Sequence, residues 1–142
     1  MSSYEATITI AAPQETVWRI LSGVAQWPDW LPTVSAVEPQ TGATLALDAR
    51  YRVLQPKLRP ALWRVTQLDP PHQFTWVSGG PGYAVTAEHI LAAAAPEGVA
   101  VRLRISFSGL FGPLFGWLNR SLTQSYLEQE ATALKHTAEA AG

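Results

Sequence analysis

The chain contains no cysteine, so a disulfide framework, a thiolate nucleophile and a cysteine-held zinc or iron–sulfur centre are all excluded. Cytoplasmic residence is the default expectation. Charge is scarce too: only 15% of residues are charged, and ten Lys and Arg against eleven Asp and Glu leave a formal charge of -1. No basic run exists, so the footprint that neutralises nucleic-acid phosphates is missing, and no nucleic-acid partner is expected. No stretch approaches the ~20 apolar residues of a membrane span. The start, Met1-Ser2-Ser3-Tyr4-Glu5, lacks the basic and then apolar segments of a signal peptide, so a soluble, unprocessed protein is expected. No repeat, linker or low-complexity tract divides the 142 residues, and residues 1–142 are read as a single domain.

What is abundant is apolar surface. Hydrophobic residues make up 47% of the chain, too many for disorder, and six of them are Trp. Tyr4 to Ala11 alternates as a half-buried strand. Pro13 suits a first helical turn, Glu15 complements the positive end of the helix dipole, and Val17, Trp18 and Leu21 recur at helical spacing until Gly23. Trp27-Pro28-Asp29-Trp30-Leu31-Pro32 reads as a loop or single turn. Strands are predicted over Val34–Glu38, Ala49–Leu54, Ala61–Leu68, Phe74–Ser78, Tyr83–Leu91 and Val99–Phe107, joined by Pro- and Gly-rich turns. From Gly112-Pro113 to Ala138 the composition predicts one long helix.

Turn lengths set the register. A three-residue loop at Pro96-Glu97-Gly98 places Ala95 opposite Val99, His89 opposite Ile105 and Leu91 opposite Leu103. A four-residue connector at Gly79–Gly82 places Trp76 opposite Val85 and Phe74 opposite Ala87, and a four-residue turn at Asp69–His72 pairs Val65 with Trp76 and Trp63 with Ser78. One inner face then collects Tyr83, Val85, Ala87, His89, Leu91, Val101, Leu103, Ile105 and Phe107 with Trp63, Val65 and Trp76. Thr86, Glu88, Arg102, Arg104, Arg64 and Thr66 fall outside beside Thr75, and the outer arginines, with Arg50 and Arg52, are read as solvated. The long helix is the lid, and it carries two stripes. Leu127, Ala131, Leu134 and Ala138 form one, and Phe111, Phe115, Leu118, Leu122 and Tyr126 form another about half a turn away. A kink near Gly116, a helix buried on two sides, or a first half that roofs a cavity would reconcile them; the cavity is the expectation.

These features, in order, resemble the SRPBCC superfamily, the helix-grip fold of START domains and birch-pollen-allergen-like proteins, and within it the polyketide cyclase/dehydrase-like branch. The resemblance rests on Ile10-Ala11-Ala12-Pro13 with Glu15, Val17 and Trp18; on Trp27 and Trp30 with Pro32; on Leu68-Asp69-Pro70-Pro71 leading to Phe74 and Trp76; on Glu88-His89; and on Leu134-Lys135 with Ala138-Glu139. Gly98-Val99 departs from the usual Gly-Thr before the last strand. The resemblance implies an α+β fold: a seven-stranded antiparallel sheet wrapped around a long C-terminal helix, two short helices after the first strand, and a deep apolar cavity between them. Members range from aromatase/cyclases to lipid, sterol and quinone carriers.

The residue reading gives ligand-lining candidates: Tyr51, Trp63, Val65, Trp76, Tyr83, His89, Ile105, Phe107, Phe111, Phe115, Leu118 and Leu122. His89, the only histidine on the inner face, is the catalytic candidate, able to exchange a proton with a ligand carbonyl; the alternative is a core histidine bonded to backbone. Tyr51 and Tyr83 could hold a polar ligand group. No Ser-His-Asp set, nucleophile elbow, phosphate loop or pair of inward carboxylates stands out, and His72, His89 and His136 have no metal spacing, so no metal and no cofactor are expected. The expected function is binding or transport of a hydrophobic small molecule, a lipid, isoprenoid, quinone or polyketide-like compound. The alternative is a cofactor-independent cyclase or dehydratase using His89, and a protein-interaction module is a third reading. Gly109 to Leu118, with three Gly, a Pro, two Phe, a Trp and three Leu, is read as a moving cavity entrance able to touch a membrane transiently, or else as a static corner.

Overall fold

The computed structural model describes residues 2–94 and 98–141. Its elements are β1 (Ser2–Ile10), α1 (Gln14–Ser22), a 3₁₀ helix (Val24–Asp29), β2 (Ala36–Pro39), β3 (Arg50–Leu54), β4 (Ala61–Asp69), β5 (Gln73–Gly80), β6 (Tyr83–Ala94), β7 (Gly98–Ser108), α2 (Gly112–Leu118) and α3 (Arg120–Ala141). The seven strands form one antiparallel sheet in the order β1-β7-β6-β5-β4-β3-β2, so the expected α+β, helix-grip architecture is present. Pro13 stands just outside α1, in extended conformation at its N-cap, where its missing N–H costs nothing. Gly23 closes that helix, and the Trp27 segment continues as 3₁₀ turns.

Two registers differ from expectation, each by two residues. β5 runs on to Gly80, and Pro81-Gly82 alone closes the hairpin with Gly82 at φ +80°. Phe74 therefore faces His89 and Trp76 faces Ala87, in place of Ala87 and Val85. Between β6 and β7, His89 faces Leu103 and Leu91 faces Val101. The Ala95–Val99 pairing behind the earlier register lies partly outside the described residues. Val65 does pair with Trp76, after which a bulge at Thr66 shifts the ladder so that Gln67 meets Thr75. Because side chains alternate with period two, even displacements leave every residue on its expected face. Thr75 itself is buried, not solvated. Three of the outer arginines are paired, Arg102 with Glu5 at 2.8 Å, Arg52 with Glu38 at 2.6 Å and Arg64 with Asp48 at 3.0 Å, in exposed bridges worth about 0–1 kcal/mol each.

The C-terminal helix is two helices. The break falls at Asn119, whose side-chain amide donates to the Phe115 carbonyl at 2.9 Å, sharing it with the Asn119 backbone N–H at 3.0 Å. The break divides the second stripe, leaving Phe115 and Leu118 on α2 while Leu122 and Tyr126 begin α3 ahead of the first stripe. Leu127, Ala131, Leu134 and Ala138 are buried against the sheet as expected, whereas Leu118 is exposed and Leu122 only half-buried. Along β1, an edge strand, Gln124 Nε2 donates to the Glu5 carbonyl and Lys135 Nζ to the Thr9 carbonyl, both at 3.0 Å. Beyond β1, the Ala11 N–H donates to Glu139 at 2.8 Å. Fully buried Leu134 is central to this docking. Leu134→Ala is expected to lower unfolding free energy by about 2–5 kcal/mol through lost transfer energy and a residual void. Urea denaturation checks it: the midpoint drops at unchanged slope.

Candidate functional site

The interior between the sheet and α3 is organised by aromatic rings. Trp27 enters from the 3₁₀ helix, and its indole N–H donates to the Leu21 carbonyl at 2.9 Å, which satisfies the one polar atom that burial would penalise. Its ring lies 5.3 Å from Trp76, 5.9 Å from His89 and 6.4 Å from Phe74. Trp63 stacks on Trp76 at 5.3 Å, Tyr51 lies 5.9 Å from Trp76, and the His89 imidazole stacks on Phe74 at 4.1 Å. The rings expected to wall an open cavity therefore touch one another. The Trp27 side chain, assigned by sequence to a loop, occupies the space they would enclose. Tyr51, Trp63, Val65, Trp76 and His89 share this cluster, whereas Tyr83, Phe107 and half-buried Phe115 meet at α2, Tyr83 4.7 Å from Phe115, and Phe111, expected to line the cavity, is largely exposed at the start of that helix. Ile105 is half-buried on the inner face of β7. Two open grooves lie elsewhere. One of about 440 Å³ runs beside Trp18, Gln26, Leu45 and Leu68, and one of about 460 Å³ follows α3 beside Pro32, Gln129 and His136.

One polar pair sits inside the aromatic cluster. His89 Nδ1 lies 3.2 Å from the Phe74 carbonyl, which can only accept, so Nδ1 carries the proton and Nε2 presents a bare lone pair. That lone pair faces a group not identified from sequence: Glu130 of α3, whose Oε2 stands 3.7 Å from Nε2. The signal was present in the helical spacing, since Glu130 falls three residues after Leu127 and four before Leu134, on the buried stripe. Burial holds the imidazole down at about 4, with the Phe74 hydrogen bond opposing, and burial pushes the Glu130 carboxyl up to about 7. Between those values the interior holds a neutral imidazole beside a neutral carboxylic acid. At 3.7 Å the two are beyond hydrogen-bond distance, so a third polar atom beside them can reach both at about 2.8 Å. Burial also raises the Tyr51 phenol, whose hydroxyl donates to the Ala43 carbonyl at 3.4 Å. Among the described residues no group of three His, Cys, Asp or Glu is arranged to hold a metal ion.

The opposed shifts give a pH signature. In the unfolded chain His89 titrates near 6.5 and Glu130 near 4.5. With Glu130→Gln only the histidine contribution remains. The unfolded state then binds a proton that the folded state refuses, so stability rises from pH 4 to about 6.5. With His89→Gln only the carboxyl contribution remains. The folded state now keeps a proton that the unfolded state loses, so stability falls from pH 4.5 to about 7. In the wild type the two slopes, each up to about 1.4 kcal/mol per pH unit, cancel over most of that interval. Urea denaturation of the three proteins across this range is the measurement. Parallel curves would show that neither group is shifted.

Comparison with known proteins places this architecture. Residues 1–139 match the family described as polyketide cyclase / dehydrase and lipid transport. An uncharacterised protein of Mycobacterium tuberculosis is 27% identical over 120 residues, covering 80% of this chain and 83% of its own. Among solved structures, an aromatase/cyclase from a Streptomyces species is similar in fold, with TM-score 0.77 and 18% identity over 97% of this chain and 93% of that one. A START superfamily protein from Mycobacterium smegmatis has TM-score 0.74 and 15% identity over 99% of each chain. With its sheet order, its covering helix and a family match across nearly the whole chain, this protein belongs to the polyketide cyclase/dehydrase and lipid transport family.

Proposed function

We propose that the protein binds a hydrophobic, ring-containing or isoprenoid small molecule carrying a hydroxyl group, which donates to His89 Nε2 and accepts from the protonated Glu130 carboxyl. The observation that carries the reading is the 3.7 Å pair itself: the buried His89 Nε2 and the largely buried Glu130 carboxyl stand side by side against the aromatic cluster. A purely structural core gains nothing from burying two such groups without a hydrogen bond between them. Trp63, Trp76 and Tyr51 supply flat apolar surface next to it, the usual surroundings of a ligand's body. Ring contact throughout the cluster implies that a ligand enters by displacing side chains, Trp27 first among them. Family membership supports the reading, since its description joins lipid transport to polyketide chemistry.

Quenching of tryptophan fluorescence by a hydroxyanthraquinone, with anthracene as the oxygen-free control, tests it. Saturable binding of the hydroxyanthraquinone is expected, weakened about tenfold by His89→Phe, with anthracene unaffected by the substitution. Absence of saturable quenching by either compound, or equal affinities in both proteins, would overturn the proposal.

A second reading, proton transfer to a bound polyketide-like chain, is favoured by one further observation: near neutrality the pair offers an acid and a base side by side. In that case Glu130→Gln would bind a poly-β-ketone thioester as the wild type does and cyclise it about a hundredfold more slowly. Product formation followed by absorbance separates the two readings.

A further inference from the structure

The corner between β7 and α3 inverts the ordinary logic of an amphipathic helix. α2 lies against the sheet through its smallest residues. Gly112 and Gly116 are buried, and a methyl group on Gly116 would come within 2.8 Å of the Ser2 Cβ and 3.1 Å of the Phe107 ring. Gly109, at φ +89°, approaches so closely that an added Cβ would stand 2.8 Å from the Gly82 carbonyl oxygen. Apart from half-buried Phe115, the large apolar residues point the other way. Leu114, Trp117 and Leu118 are 52%, 57% and 59% exposed, and Leu110 just before the helix is 83% exposed. A segment that needed these side chains for packing would have buried them and turned its glycines outward. Hydrogen bonds to backbone carbonyls fix the arrangement, from the Phe111 N–H to Gly82 at 2.8 Å and from the Tyr4 hydroxyl to Gly116 at 3.0 Å.

The chemistry around this patch is of one sign. β3, β5 and β7 run in the same direction, so the connections that leave them emerge at one end of the sheet. Tyr126 at the start of α3 donates to the Pro56 carbonyl, tying the β3–β4 connection to the same end. That connection, Gln55 to Pro60, carries Lys57, exposed Leu58 and Arg59, and the segment from Ser108 to Ser121 carries Arg120. Neither contains Asp or Glu, and among the described residues none of the three cations forms an ion pair. Arg120 is held in place, its guanidinium 4.5 Å from the centre of the Trp117 ring and donating to the Trp117 carbonyl at 2.7 Å. Leucines and an indole at the apex, with cations behind them, match the layers of a bilayer surface, acyl chains first and phosphates next. Among the described residues no helix is long and apolar enough to cross a membrane, so the contact is peripheral.

We propose that this end of the molecule docks on the surface of a bilayer containing anionic lipid, with Leu110, Leu114, Trp117 and Leu118 in the interface and Lys57, Arg59 and Arg120 against lipid phosphates. Co-sedimentation with vesicles of phosphatidylcholine alone, and of phosphatidylcholine mixed with phosphatidylglycerol, tests it. The wild type is expected to pellet with the mixed vesicles, and to do so less as salt is raised. Leu114→Ser with Leu118→Ser, both exposed and so neutral to the fold by circular dichroism, is expected to weaken binding at least tenfold. Lys57→Glu with Arg120→Glu is expected to abolish the preference for phosphatidylglycerol, each cation contributing about fivefold. A wild type that stays in solution with both vesicle types, or a serine variant that pellets equally well, would overturn the proposal. So would a dimer by light scattering that the serine variant dissolves while vesicle binding is absent, since the patch would then join two copies of this chain.

Discussion

The interior depends on one buried hydrogen bond, from the Trp27 indole to the Leu21 carbonyl. It ties the 3₁₀ helix to the end of α1 and lets a large ring sit in the middle of an apolar core without an orphaned donor. The neighbours then have little freedom. Trp76 packs edge-on to Trp27, Phe74 edge-on to Trp76, and His89 lies flat on Phe74. A flat-stacked imidazole bonded through Nδ1 has its other nitrogen pointing out of the sheet, toward the helix that covers it. The chemistry of the site follows from packing that begins two elements away.

How much of this was legible from the chain depends on what each inference required. Face assignment needs only parity, so it survived turns whose lengths were misjudged: Pro81-Gly82 replaces a four-residue connector, yet Trp76 and His89 still point inward. Partner identity needs the exact turn length, and there the Gly79-Gly80 pair misled, because glycines that extend a strand look like glycines that end one. The composition predicts one long helix, with a kink near Gly116 as one alternative; Gly116 instead serves as a contact surface, and the helix breaks at Asn119, whose side chain bonds the preceding turn. Glu130 is not apparent from sequence because a lone carboxylate in a polar-looking helix reads as solvated, while its place between Leu127 and Leu134 turns it toward His89.

The His89–Glu130 pair also shows how opposite penalties can coexist. Burying one charge beside this much aromatic surface would be costly, and neither group is charged over most of the interval between their shifted values. Each is kept neutral by the same desolvation, acting with opposite sign on an acid and a base. Held this way, the two stay close without forming the ion pair that their residue types suggest.

The edge strand β1 carries a further consequence. Open strand edges invite foreign strands, and sheet proteins guard them against aggregation. Here α3 stands guard with side chains: Gln124 and Lys135 occupy the Glu5 and Thr9 carbonyls, and Glu139 takes the Ala11 amide just beyond. Another chain adding itself at β1 would have to break these bonds before making its own. At the opposite edge β2 is four residues long and ends in Pro39, which has no amide to offer. The helix that closes the interior thus also caps the sheet, and both routes to intermolecular strand addition are obstructed by the native contacts themselves.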